Sequence, residues 1–167
     1  MNDSTQTREL DARGRGRELV LGALCHLEDV EPDERPRALG VLFDGPPTGD
    51  EIGETRFADL AGDRSARKFA ESLVDEIITA WDAIDAAITA ASRRWRLERM
   101  DRVDRNALRI AAAELRGRDR TPRGVVLSEA VRLASTYGNE KSASFVNGLA
   151  SSLAKQLRPE NADQERG

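Results

Sequence analysis

Residues 65–88 read SARKFAESLVDEIITAWDAIDAAI, and large apolar side chains recur in this stretch at spacings of three or four. The recurring residues are Phe69, Leu73, Ile77, Trp81, Ile84 and Ile88. Such spacing places them on one face of an α-helix. Ser65 is a residue type that caps helix starts. The stretch therefore predicts one long core helix that begins at Ser65.

Helical periodicity continues on both sides of this stretch. A first helix is predicted to begin near Arg13, with the apolar positions Leu19, Val20, Ala23, Leu24 and Leu27. A later helix has Val126, Ala130, Leu133 and Tyr137 at such positions, and the last helix has Phe145, Leu149, Leu153 and Leu157. Asp101 and Asp104 resemble a capping box before a helix that runs to about Leu115. Thr121 is a candidate cap of the next helix, with Pro122 at the first helical position. Aromatic residues make up only 4% of the chain. Together these features predict an all-α fold with an aliphatic core.

Between the first helix and Ser65 the chain is acidic and contains Gly45-Pro46-Pro47-Thr48-Gly49, which no regular element tolerates. Residues 28–64 are predicted to form a long loop, in which residues 38–43 and 57–60 are each compatible with a short helix. We expect a single helical domain over residues 13–158, with disordered tails at residues 1–12 and 159–167.

Cys25 and His26 are the only cysteine and the only histidine, which excludes a disulfide framework and a Cys/His zinc site. The N-terminal residues lack the features of a signal peptide, and no run has the length of a membrane span. We expect a soluble, cytoplasmic protein without a metal or cofactor.

Charge is unevenly distributed along the chain, whose formal net charge is −4. Residues 28–63 hold eleven acids and three arginines, a local charge of −8, whereas residues 92–123 hold eleven arginines and five acids, a local charge of +6. A small cluster of Arg13, Arg15 and Arg17 adds to the basic part. Segregated basic segments are compatible with nucleic-acid binding even in an acidic chain.

Three stretches, taken in order, resemble the NusB family. The first is Arg13-Gly-Arg-Gly-Arg-Glu-Leu-Val-Leu-Gly-Ala-Leu24, an arginine-rich opening before a helix. The second is residues 103–115, VDRNALRIAAAEL. The third combines Ser128-Glu129-Ala130-Val131, Tyr137-Gly138 and Phe145-Val146-Asn147-Gly148. The resemblance is good from about Arg67 to Leu157.

The resemblance implies two packed helical subdomains, of about three and four helices. It also implies a bacterial transcription antitermination factor, involved in ribosomal RNA transcription, that binds boxA-type single-stranded RNA. Its partners would be a small-subunit ribosomal protein that doubles as NusE and the RNA polymerase antitermination complex. Such a protein is not an enzyme, and the sequence contains no histidine, metal cluster or phosphate-binding loop in a pattern that gives its carboxylates catalytic chemistry.

Arg13, Arg15 and Arg17 are the leading RNA-contact candidates, because guanidinium groups pair with phosphates and stack on bases. Gly14 and Gly16 weaken a helix, so this arginine arm is hypothesised to be frayed when free and to order on RNA. The alternative to RNA contact is that the three arginines lie at a solvated helix end.

Phe145 and Asn147 are further candidates. Phe145 fits either the core or a stack on a base, and Asn147 fits either a backbone cap or a base-edge contact. Trp95, with Arg93, Arg94 and Arg96 around it, fits a cation–π and phosphate-binding patch, although packing is favoured for a tryptophan near a helix junction. For Arg99, Arg102, Arg105 and Arg109, ion pairs with acids on the same helix face are favoured.

Two competing functions stay open. The first is a NusB-like paralogue that acts as a protein-interaction module with weak or no RNA binding. Three features agree with it: the net negative charge, Cys25 at a position where the resemblance predicts an aromatic residue, and Lys141. A DNA-binding helix-turn-helix is less favoured, because the stretch from Arg116 to Pro122 is longer than that motif's turn.

Overall fold

A computed structural model describes residues 2–44, 53–117 and 121–160. These residues form eight α-helices and no strand: α1 (Asn2–Leu27), α2 (Arg35–Asp44), α3 (Glu54–Ala61), α4 (Arg64–Thr79), α5 (Trp81–Ala91), α6 (Arg102–Gly117), α7 (Arg123–Tyr137) and α8 (Ser142–Leu157), with a 3-10 turn at Leu97–Arg99. The predicted all-α fold is confirmed. The chain divides into two compact units, Met1–Thr79 and Ala80–Gly167.

The first unit is built on the packing of α1 against α4. The predicted apolar face of α1 is fully buried, together with Leu21 and Cys25. Gly16 allows the two helices to approach closely, since a Cβ atom there would lie 2.6 Å from Cδ1 of Phe69 and 3.0 Å from the Ala66 carbonyl oxygen. Real Cβ atoms essentially never make the first of these contacts. A glycine is therefore required here for packing.

The acidic segment contains two helices as well as loop. Both short helices that the sequence allowed are formed, as parts of α2 and α3, and they contribute Leu42, Phe43, Phe57 and Leu60 to the core. The Pro/Gly stretch at residues 45–49 lies outside the described residues. The segment is thus anchored to the first unit by two apolar helix faces.

The single long helix predicted from Ser65 to Ile88 is wrong. The helix ends at Thr79, Ala80 leaves the helical conformation (φ −111°, ψ 20°), and α5 begins at Trp81. The Thr79 hydroxyl donates to the Asp75 carbonyl at 2.9 Å, a local bond that competes with the helix ladder. The boundary between the two units falls at this break.

The start of α4 also differs from the prediction. Oδ1 of Asp63 accepts hydrogen bonds from the backbone amides of Ser65 and Ala66, at 3.0 and 3.1 Å. Asp63, and not Ser65, is therefore the capping residue. The amide of Ala66 and the guanidinium of Arg15 hold the pKa of Asp63 below its usual value.

The second unit is centred on α6, which packs against α5, α7 and α8 and is buried from Val103 to Leu115 except for a half-buried Arg105. The side chain of Asp104 does not act in the capping box that the sequence suggested. It is 5% exposed, accepts a hydrogen bond from Ser142 on α8, and leaves Oδ1 without a partner among the described residues. Burial, with a smaller contribution from Asp101, raises the pKa of Asp104.

Two further contacts close the second unit. The buried guanidinium of Arg158 donates to the carbonyls of Thr121 (2.6 Å) and Glu114 (2.8 Å), which joins the chain after α8 to the end of α6. Helix α7 starts one residue later than predicted, because Pro122 occupies the cap position, and it ends as predicted at Tyr137 before Gly138. Of the helices described in either unit, none is both long and apolar enough to cross a membrane.

Candidate nucleic-acid interface

The arginine arm lies within a continuous helix. Helix α1 begins at Asn2 and not near Arg13, so Gly14 and Gly16 are both helical. The close contact at Gly16 gives that glycine a packing role, contrary to the hypothesis that it frays the arm. The arginines are therefore presented from a formed helix, and burial by α4 and its flanking segment decides which of them reach solvent.

The three arginines differ in their surroundings. Arg13 is exposed, and from Ala12 onward, where side chains are described, no residue makes a hydrogen bond or ion pair with it. Arg15 is 32% exposed and donates to Oδ2 of Asp63 from Nε at 3.0 Å and from Nη2 at 2.5 Å. Arg17 is 2% exposed, and its Cζ lies 5.3 Å from the centre of the Phe69 ring. One arginine of the arm is thus open to a ligand as the helix stands, one is held by a carboxylate, and one is enclosed.

The second unit contains an open groove of about 610 Å³ between the segment that follows α5 and one face of α8. We call it the basic groove, because three cations line it and none of the lining residues that the structure describes is a carboxylate. Its side walls are formed chiefly by Arg93, Arg94, Trp95, Phe145 and Lys155, with Gly148 between the last two. A concave surface that combines aromatic rings with unopposed cations is suited to single-stranded nucleic acid.

Phe145 and Asn147 are separated by this geometry. Phe145 is half-buried and lines the basic groove, whereas Asn147 is exposed on α8 and is not part of the lining. Residues two apart on a helix point in different directions, while Phe145 shares its face with Gly148, Leu149 and Ser152. The two candidate residues therefore belong to different surfaces of α8.

Trp95 is exposed, and the packing role that the sequence favoured for it is wrong. Trp95 is 56% exposed as a residue, whereas the neighbouring Leu97 is 8% exposed and anchors the segment. The Ser92 hydroxyl fixes the backbone of Trp95, accepting from its amide at 3.3 Å and donating to its carbonyl at 2.7 Å. The signal for this position was the run Arg93-Arg94-Trp95-Arg96, in which the cations and the ring occur together.

Part of the basic run that follows is structural. The buried Arg109 donates to both carboxylate oxygens of Asp85 on α5, at 2.8 and 3.1 Å, and its Cζ lies 4.6 Å from the centre of the Trp81 ring. The ion-pair partner Asp85 thus lies on a neighbouring helix, whereas the sequence favoured acids on the same helix face; on that face Arg109 donates to Oδ1 of Asn106 at 2.8 Å. Arg109 is committed to holding α5 on α6 and is not available to a ligand.

The described residues contain no group of three His, Cys, Asp or Glu side chains able to hold a metal ion. The buried Cys25 lies in the first unit among apolar side chains.

Comparison with known proteins decides the family. The sequence profile of the NusB family matches residues 17–155. The chain belongs to the NusB family. It is 43% identical over 126 residues to the transcription antitermination protein NusB of Sorangium cellulosum, covering 74% of this chain and 90% of that protein. It is 34% identical over 148 residues to NusB of Geobacter sulfurreducens, covering 89% and 97%.

Solved structures show the same NusB fold. T. maritima NusB matches with a TM-score of 0.68 and 28% identity, over 91% of this chain and 96% of that one. A chain from a crystal structure of a plectonemic RNA supercoil matches with a TM-score of 0.66 and 26% identity, over 87% and 95%. The NusB relatives are named as transcription antitermination proteins, which describes a regulatory and not an enzymatic activity. Arg13 and Arg15 precede the stretch that the family profile matches.

Proposed function

We propose that this NusB-family protein is a transcription antitermination factor that binds boxA-type single-stranded RNA. It would do so together with the ribosomal protein that also serves as NusE, within an antitermination complex of RNA polymerase. The similarity to NusB proteins along nearly their whole length supports the regulatory activity. The observation that carries RNA binding is the half-buried Phe145 that lines a groove together with three cations and no carboxylate of the described residues.

The candidate residues have different roles in this proposal. Arg13 contacts phosphate directly, since it is exposed and unpaired in the described part of the chain. Phe145 stacks on a base, and Asn147 reads a base edge from the adjoining surface of α8. Arg15 contacts RNA by exchanging Asp63 for a phosphate. Arg17, enclosed against Phe69, positions the helix that presents the other two arginines.

Fluorescence anisotropy with labelled RNA tests this function. The full chain is titrated with a boxA-type RNA and with a scrambled RNA of the same composition, in the presence and absence of NusE. The proposal predicts tighter binding of the boxA-type RNA, a further gain with NusE, and a logarithm of affinity that falls with the logarithm of salt by about 0.7 for each phosphate contact. Equal affinities and no effect of NusE would refute it.

The second candidate function is that of a NusB-like paralogue that binds protein and has weak or no RNA binding. The state of the arginine arm, Arg13, Arg15 and Arg17, favours it. Only Arg13 of the three arm arginines is both exposed and unpaired among the described residues. For a pure protein-interaction module, NusE binding is expected without any measurable preference between the two RNAs. The same titration therefore separates the two functions.

A further inference from the structure

We propose that the basic groove is a nucleotide-binding subsite in which unpaired bases stack on Trp95 as well as on Phe145 while Arg93, Arg94 and Lys155 hold the adjoining phosphates. This inference rests on the proposed RNA-binding function and adds four residues to the site. It assigns a contact surface to the segment after α5, a part of the chain outside the arginine arm.

The exposure of Trp95 is the first argument. A tryptophan has the largest apolar surface of any side chain, and leaving more than half of it in water forgoes the stabilisation that burial gives. The backbone of Trp95 is nonetheless held in place, because the Ser92 hydroxyl bonds both its amide and its carbonyl and Leu97 is buried two residues later. An exposed ring on a fixed backbone is a platform prepared for a partner with a flat face.

The charges around the ring identify that partner. Arg93, Arg94 and Lys155 are exposed, and none of them has an ion pair or hydrogen bond within the described residues. The chain as a whole carries a net charge of −4, so the three unopposed cations give this groove a charge opposite in sign to that of the whole chain. A repeating anion with intervening aromatic bases satisfies both the cations and the rings, which is the chemistry of single-stranded RNA.

Gly148 is the third argument. It lies within α8, where glycine weakens a helix relative to alanine, and it lines the groove between Phe145 and Lys155. Unlike Gly16, it is not required by packing, because a Cβ atom there would meet no atom within 4 Å. The space beside Phe145 is kept open toward the groove. The groove volume of about 610 Å³ lies within the range of sites that take small molecules, about 300–1,000 Å³.

Intrinsic fluorescence tests the stacking directly. The chain has two tryptophans, of which Trp81 is 6% exposed and Trp95 is 56% exposed. Titration of the full chain with single-stranded RNA is expected to quench the solvent-exposed emission of Trp95, and W95F should abolish the quenching. Binding that is visible by anisotropy without any change in Trp95 emission would overturn the inference.

Affinity measurements test the energetic contribution. W95A is expected to weaken RNA binding about tenfold or more, the loss of one stacked base. The double variant R93Q/R94Q should make the salt slope about 1.4 units shallower, about 0.7 for each phosphate contact. R116Q is the matched control, since Arg116 is an exposed arginine of the same unit that does not line the groove. It should leave the affinity within about twofold of wild type.

Gly148→Leu tests the groove without removing any proposed contact. The leucine should fill the space beside Phe145 and weaken RNA binding about tenfold, while thermal melting followed by circular dichroism shows a folded protein. Gly124→Leu is the control, since Gly124 also lies in a helix of this unit and also has no atom within 4 Å of a built Cβ. It should bind RNA as wild type does.

The outcomes separate this inference from the proposed function. RNA binding by wild type that W95A, R93Q/R94Q and Gly148→Leu leave unchanged would overturn the inference and leave the proposed function intact. Loss of NusE binding in these variants with unchanged RNA affinity would assign the groove to the protein partner, which also overturns the inference. A wild-type chain that binds no RNA, with or without NusE, would refute both.

Discussion

Replacing Asp63 with asparagine tests whether Arg15 contacts RNA. In the free protein Arg15 donates two hydrogen bonds to the Asp63 carboxylate, so a phosphate has to displace that carboxylate. Asparagine keeps the helix cap of α4, because it is as good a capping residue as aspartate. It removes the negative charge that competes for the guanidinium. The change therefore alters the competition and leaves the architecture of the helix start in place.

The expected size follows from the exposure of the pair. The side chains of Arg15 and Asp63 are 32% and 27% exposed, so solvent screens their attraction, which should be worth about 0.5–1 kcal/mol. Freeing Arg15 from that pair should tighten RNA binding by about two- to fivefold. The free energy of unfolding should fall by no more than about 1 kcal/mol, since the ion pair is lost and the cap is retained.

Anisotropy titrations at one fixed salt concentration measure this effect. D59N is the matched control, because Asp59 is an exposed carboxylate of the same unit with no described partner and its loss changes the net charge equally. The combination R15Q/D63N should lose the gain. If D63N and D59N bind RNA with the same affinity, Arg15 does not contact RNA and the exchange mechanism is wrong.

Three stability predictions follow from the helix contacts. Gly16→Ala should lower the free energy of unfolding by about 1–2 kcal/mol, because the new Cβ meets Phe69. Gly40→Ala is the control and should not destabilise the fold, since a Cβ there meets nothing within 4 Å. Urea denaturation measures both variants. Arg109→Met should cost about 3 kcal/mol by leaving Asp85 unpaired, and a loss below about 1 kcal/mol would show that the pair is not structural. D104N should stabilise the fold by about 1 kcal/mol at neutral pH. Burial raises the pKa of Asp104 above its ordinary value of 3.8, so the buried charge destabilises the fold above the raised pKa. Below pH 3.8 the carboxyl is protonated in both the folded and the unfolded chain, and the advantage of D104N should therefore vanish in acid. An advantage of D104N that does not depend on pH would contradict this.

Much of the fold is predictable from apolar periodicity, but the break between α4 and α5 is not. One non-helical residue, Ala80, separates the helices, and the spacing of four between Ile77 and Trp81 is kept across it. Neither glycine nor proline marks the position. A pattern that reports only apolar spacing cannot detect such a break, because the spacing in the sequence continues unchanged on both sides of it.

The candidate site shows a similar division. Residue types drew attention to Phe145 and to the Arg93–Arg96 run, but the exposure of such residues depends on contacts between residues that are distant in sequence. Asp63 lies 48 positions from Arg15, and Phe69 encloses Arg17 only because Gly16 lets α4 approach α1. Helix propensity alone suggested that this glycine frays the arm, and the packing reason for it was visible only in three dimensions.

The central claim is that single-stranded RNA lies in the basic groove of the second unit. Photo-crosslinking of the full chain to RNA containing 4-thiouridine, followed by mass spectrometry of the linked peptides, tests it most directly. We predict crosslinks to residues 92–99 and 142–157, with Trp95 and Phe145 as the principal sites, and their loss in Gly148→Leu but not in Gly124→Leu. Crosslinks confined to other parts of the chain, or unaffected by filling the groove, would contradict the claim.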